Sequence, residues 1–231
     1  MSRLLVCIQL FTKVTQLISL IDLEKICKYL LDLLERKAAC QQEEVEEEQH
    51  NAANPSADAE LSEWDAHLIR GAEDLVSSLA IAIGPEFAPA FNAFLPALAQ
   101  YVDPRRQPTE RSTAIGSLAE SINGLKSGST QFTEPILNLL FTSLKDADRD
   151  VRSNSAFAVG SLVFQSDMDL SAHYGTILSS LFPLFDRETD SADSNQACDN
   201  ACGAVARLIL KNVDAVPLEQ VSGNLTDFDR Y

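Results

Sequence analysis

Apolar residues recur at spacings of three and four along most of the chain, and β-branched residues nowhere alternate with polar ones over a long run. That pattern predicts helices throughout and an all-α fold. A helix pair is expected over residues 1–40: one helix from about Arg3 to Leu20, and a second from Asp22 to Lys37. The second carries Leu23, Ile26, Cys27, Leu30, Leu31 and Leu34 on one stripe, with Asp22 as its cap. The following QQEEVEEEQHNAANPSADAE has no hydrophobic face, no basic residue and a proline at position 55. It cannot bury enough apolar area to offset the entropy of ordering it, so residues 41–61 are expected to form a mobile acidic loop. Beyond it, helices are predicted near Ser62–Ile83, Pro85–Val102, Pro108–Asn123, Phe132–Leu144, Asp148–Phe164, Ser171–Phe185, Ser194–Lys211 and Pro217–Leu225, with Gly84-Pro85, Asp103-Pro104 and Gly128 as breaks.

Three of these helices repeat one another. ERSTAIGSLAESI from Glu110, DVRSNSAFAVGSLV from Asp150 and CDNACGAVARLI from Cys198 bring Gly116, Gly160 and Ala206 into register at offsets of 44 and 46. Each is followed two residues later by Leu118, Leu162 or Leu208, and the preceding LFTSLKD and LFPLFD lie 41 residues apart. A two-helix unit of this period is expected of HEAT or armadillo arrays, so residues 62–231 are assigned to a HEAT-type α-solenoid, an α-α superhelix. A plain helical bundle would show Leu and Ala at similar spacings. The acidic turn leading into Val-Arg in KDADRDVRSNSA favours the solenoid, where Asp146 and Arg152 are expected to pair across turn and helix and set the stacking angle.

Charge then narrows the partners. With 18 Lys+Arg against 34 Asp+Glu the net charge is −16, and residues 41–65 alone hold nine acids and no base. Such a chain is a poor ligand for nucleic-acid phosphates or anionic lipid and favours basic partners. The acidic run itself is expected to serve mainly as a solvated loop. The first residues are apolar but interrupted at Gln9 and Lys13, with no small-residue cleavage site, and no membrane insertion is expected. Five cysteines (Cys7, Cys27, Cys40, Cys198 and Cys202) contain no C-x-x-C pair, which suits a reducing compartment. His50, His67 and His173 share no metal-ligand spacing, and no phosphate loop or nucleophile elbow is present, so a non-enzyme without metal or cofactor is expected.

A binding surface is the better candidate. On the helix from Asp148, the residues Val151, Ser155, Ala158, Val159 and Leu162 form the buried stripe, leaving Asp150, Asn154, Phe157 and Ser161 on another face. The repeat offsets align Asn154 with Glu110 and Asn200, a polar ladder along one groove. Amides there would hold an extended peptide by two-way hydrogen bonds, the carboxylates of Glu110, Asp150 and Asp199 would meet Lys or Arg, and Phe157 would support the stem of a Lys.

DADRDVRSNSAFAVGSLV, CDNACGAVARLI, RSTAIGSLAESI and the acidic break after LLDLLERKAACQQEE together resemble the C-terminal HEAT repeats of the importin-β (karyopherin-β) family, closest to its importin-4-like branch, over about residues 22–221. The resemblance implies a nuclear import receptor shuttling between cytoplasm and nucleus through the nuclear pore. Its partners would be basic cargo such as histones and ribosomal proteins, with release by the Ran GTPase through repeats that have no counterpart here. Phe-Gly nucleoporins would enter slots between neighbouring outer helices, for which Phe91, Phe94, Phe141 and Phe182 are candidates. Family members are much longer, which implies an internal piece or a truncated product. A generic HEAT scaffold and an acidic histone chaperone remain as alternatives.

Overall fold

The computed structural model describes residues 20–42, 55–185 and 192–217, and among them every regular element is a helix. These are α1 (Leu20–Leu34), α2 (Pro55–Ile83), α3 (Ala88–Ala99), α4 (Pro108–Leu125), α5 (Thr133–Ser143), α6 (Arg149–Gln165), α7 (Tyr174–Leu181) and α8 (Ala192–Lys211), with short 3₁₀ turns at several junctions. Consecutive helices pair as hairpins, and the second helices α2, α4, α6 and α8 pack side by side in chain order. The first helices α1, α3, α5 and α7 cover one side of that row. A continuous apolar core from Leu30 to Val216 fills the space between the two layers. This is the two-layer arrangement of an α-solenoid.

The breaks follow from local chemistry. Gly84 adopts φ +80°, a conformation that costs glycine little, and Pro85 begins the 3₁₀ turn Gly84–Phe87. The stretch Glu63–Val102 is long and apolar enough by composition to cross a bilayer, although the sequence led to no expectation of membrane insertion. Gly84 divides it, and Phe87, Phe91, Phe94 and Leu98 are buried in the core. The end of α1 is held by the second hairpin: Tyr101 Oη and Gln100 Nε2 both donate to the Leu34 carbonyl, at 2.6 and 2.8 Å. Those bonds satisfy a carbonyl that a helix end leaves without a partner.

The start of α2 differs from expectation. The helix placed from Ser62 starts at Pro55, so the last seven residues of the expected acidic loop at 41–61 are helical. Proline is favoured in a first helical turn, and Ala57 and Ala59 are strong helix formers. Residues 43–54, which hold the glutamate run, lie outside the described residues, as do most of the helices expected at Arg3–Leu20 and Pro217–Leu225.

Backbone contact sets the spacing of the α2-α4-α6-α8 row. A Cβ on Gly124 of α4 would stand 2.4 Å from the Ala80 carbonyl carbon and the Ile81 nitrogen of α2, and one on Gly160 of α6 would stand 2.7 Å from the Ala204 Cα of α8. Gly71, on the exposed side of α2, has nothing within 4 Å of that position. Gly124→Ala is therefore expected to force the helices apart and cost about 1–3 kcal/mol, whereas Gly71→Ala should stabilise by about 0.5–1 kcal/mol through helix propensity. Thermal melts of the two variants check this; equal shifts of the same sign would contradict it.

Candidate binding face

The α6 start is built from its own first turn. Asp148 accepts from the Asp150 and Val151 amides at 3.0 and 3.1 Å, which caps the helix and leaves Asp150 exposed. One turn on, Asn154 Nδ2 donates to both the carbonyl and the hydroxyl of Ser112 on α4, each at 2.9 Å. Asn200 of α8 does the same toward α6, donating to the Ser153 carbonyl at 3.3 Å and its hydroxyl at 3.0 Å. The structure thus brings the two asparagines to equivalent positions and commits both amide donors to the preceding helix. What remains for a ligand is the carbonyl end, an acceptor, in place of the two-way bonding expected.

Glu110 is placed differently. It lies in the first turn of α4, where it accepts from the Gln107 amide at 3.1 Å and stands 3.7 Å from the Arg106 guanidinium. Its carboxylate is a cap and a half of an ion pair, not a third copy of the amide. Asp199 is exposed at the start of the Asn200 turn. Phe157 is half-buried, and the Arg207 guanidinium sits over its ring at 5.0 Å, so that ring face already holds a cation. Ser161, expected beside these residues on the open face, is fully buried. Val151, Ser155, Ala158, Val159 and Leu162 are buried as the stripe required.

The acidic turn before α6 works through a partner that spacing did not indicate. Asp146 takes a two-pronged contact from Arg111 of α4, Nη2 to Oδ1 at 2.6 Å and Nε to Oδ2 at 3.0 Å, with side chains only 9% and 10% exposed. Arg152, expected to pair with that carboxylate, instead donates to the Asp146 and Ala147 carbonyls at 2.7 and 2.8 Å and ties down the turn. Burial alone would raise the Asp146 carboxyl; the Arg111 fork and the Asp148 amide outweigh it and hold it below the usual carboxylate range.

Glu73 of α2 had no place in the sequence reading. It is 2% exposed, and its Oε1 has no hydrogen-bond partner among the described residues, while Ser117 of α4 donates to its backbone carbonyl at 2.7 Å. Burial first, then the charges of Asp74 and Glu110, push its carboxyl up to about 8 against the opposing pull of Arg70. At neutral pH it is mostly a neutral acid. The signal in the sequence was an acid inside the apolar set Ile69, Ala72, Val76 and Ala80.

Of the aromatic slot candidates, Phe91 and Phe94 are buried core residues, Phe91 packing edge-on against Phe132 at 5.3 Å. They are unavailable to a partner. Phe141 and Phe182 are half-buried on the outer layer. Among the described residues no cluster of His, Cys, Asp and Glu is arranged to hold a metal.

The two buried carboxyls give opposite pH dependences. Asp146, with a lowered native pKa, supplies stability that is present above its unfolded value near 4 and is lost as pH falls through the native one. Arg111→Ala should shrink that acid-side loss and cost about 3–5 kcal/mol by leaving a largely buried carboxylate with the Asp148 amide as its remaining hydrogen-bond donor. Glu73, with a raised pKa, stabilises fully below its unfolded value, and the contribution fades as pH rises toward about 8. Glu73→Gln should thus melt near wild type at pH 4.5 and higher than wild type at pH 8.5; melting curves across pH for both variants provide the check.

Comparison with known proteins agrees with this architecture. Residues 72–224 match the family described as stalled ribosome sensor GCN1-like, HEAT repeats. The chain is 35% identical over 199 residues to the probable importin subunit beta-4 of Schizosaccharomyces pombe, covering 85% of this chain and 18% of that protein. It is 36% identical to human importin-4, over 86% of this chain and 18% of that protein, and 34% identical to mouse importin-4, over 81% and 16%. The chain therefore spans less than a fifth of the length of these curated relatives. A two-layer row of helix hairpins, matched by a HEAT-repeat family and by importin-4 sequences along most of its length, identifies the chain as a HEAT-repeat protein of the importin-β family, importin-4-like branch.

Proposed function

We propose that this chain is a cargo-binding section of a nuclear import receptor, taking basic nuclear-localisation segments on the open face of the α2-α4-α6-α8 row. The observation that carries the reading is the pairing at α6 and α8 of an exposed acid with an amide locked in one orientation: Asp150 with Asn154, and Asp199 with Asn200. Carbonyl oxygens and carboxylates only accept, which matches the all-donor heads of Lys and Arg. Glu110 contributes charge from its capped position. Phe157, already covered by Arg207, contributes only after that guanidinium moves, so Phe157 is the weakest member of the set.

Importins named among the relatives support movement between cytoplasm and nucleus as the setting. The cargo class would be histones and ribosomal proteins, with release driven by the Ran GTPase on other parts of a longer receptor and Phe-Gly nucleoporins held beside Phe141 and Phe182. A second reading, a HEAT scaffold for folded partners, draws on the match to GCN1-like repeats and on the guanidiniums of Arg106 and Arg207 on the same face. It requires no response to free basic peptides.

Changing Asp150 and Asp199 together to Lys should weaken binding of a Lys-rich peptide about ten-fold and flatten its salt dependence. Fluorescence anisotropy at two salt concentrations reads both. Unchanged affinity in the double variant, with helicity intact, would move the site off this face.

A further inference from the structure

The buried acid of α2 feels the charges of Arg70, Asp74 and Glu110, the last a member of the proposed cargo set, and this inference rests on the cargo reading above. We propose that Glu73 couples basic-segment binding to proton release: a Lys or Arg side chain arriving beside Asp74 and Glu110 expels the Glu73 proton to solvent.

The geometry supplies each requirement. Glu73 is enclosed between two helices, its Oε1 lacks a partner, and the only polar contact from Ser117 goes to the backbone carbonyl. Among the described residues, no side-chain hydrogen bond accounts for its protonation, which follows from burial first and then from the nearby charges. The charged groups acting on it are Arg70 and Asp74 on α2 and Glu110 on α4, the last sharing its charge with Arg106. The other helices packed on α2 turn buried apolar residues into the core, Leu30 and Leu34 from α1 and Phe91 and Phe94 from α3. Asp74 is exposed and Glu110 half-exposed, so a cation can reach them without entering the interface. Pairing with them cancels two charges that keep the proton on Glu73 and adds a positive field that favours its loss. The step balances simply: a carboxylic acid becomes a carboxylate, and the proton passes to buffer.

The carboxyl sits at about 8, close enough to neutrality for a modest change of field to matter. A nearby cation that lowers it by about one unit would release roughly half a proton per bound peptide at pH 7.5. Affinity would accordingly rise with pH between about 6.5 and 8.5, because binding gives up a proton.

Calorimetric titration of the 231-residue chain with a Lys-rich peptide, in phosphate and in Tris at pH 7.5, measures the protons exchanged from the difference in heats. Wild type is expected to release about half a proton and Glu73→Gln to bind with none. A ¹³C spectrum of the glutamate carboxyls adds a readout free of any substitution: the Glu73 signal should titrate near pH 8 in the free protein and lower with peptide. Binding without proton release, release undiminished in Glu73→Gln, or a Glu73 signal unmoved by peptide each overturns the coupling. Absence of binding in wild type overturns the cargo reading itself and the coupling with it, a result distinct from binding with no proton exchanged.

Discussion

Backbone-to-backbone approach along the second-helix row is the constraint from which the remaining features follow. Gly124 sits against Ala80 and Ile81, and Gly160 against Ala204, at separations that no Cβ tolerates. At those points of contact there is no room for a long side chain, and elsewhere along the gaps Ser112, Ser117 and Ser153 accept or donate from one helix to the next. These short polar bridges make each hairpin's position depend on its predecessor. Stability in such an array is a sum of neighbour interfaces, and the bonds that cross those interfaces carry the register from one repeat to the next.

The same closeness explains why the polar residues of the row have double duties. Asn154 and Asn200 hold the preceding helix with their amide hydrogens. Arg111 reaches out of α4 to the Asp146 turn, so the start of α6 is fixed by the hairpin before it. An alanine at any of these sites would disturb stacking and binding together. Charge reversal at exposed Asp150 and Asp199 separates the two effects, since neither side chain bridges helices.

Much of this was legible in the sequence, and the misses have physical causes. The Pro, Gly and Asp breaks located the hairpins because those residues act locally. The residues aligned by the Gly116–Gly160–Ala206 register, Asn154 and Asn200, each donate to a serine of the preceding helix. Glu110 fell out of the ladder for a reason the alignment could not contain: α4 begins at Pro108, whereas α6 begins at Arg149 and α8 at Ala192. The aligned residue is therefore within the first turn of one helix and well inside the others, and a first-turn acid caps. Arg111 and Glu73 have no counterparts in the other repeats, so a period could not reveal them. Glu73 was visible only as an acid at a core spacing, which is evidence of burial and silent about protonation.

Electrostatics on the open face differ in kind from the electrostatics of the whole chain. Net charge is −16, yet three arginines stand beside the groups discussed above: Arg70 acts on Glu73, Arg106 pairs with Glu110 and Arg207 lies over Phe157. At physiological salt, fields decay over about 8 Å, so only charges close to a bound cation act on it strongly. Retention has to come from the nearest acids and oxygens, and there the arginines select against most placements of a cation. A lysine opposite Arg207 is repelled; one opposite Asp150 is not. On the proposed reading, a face of mixed charge gives up raw attraction in return for register.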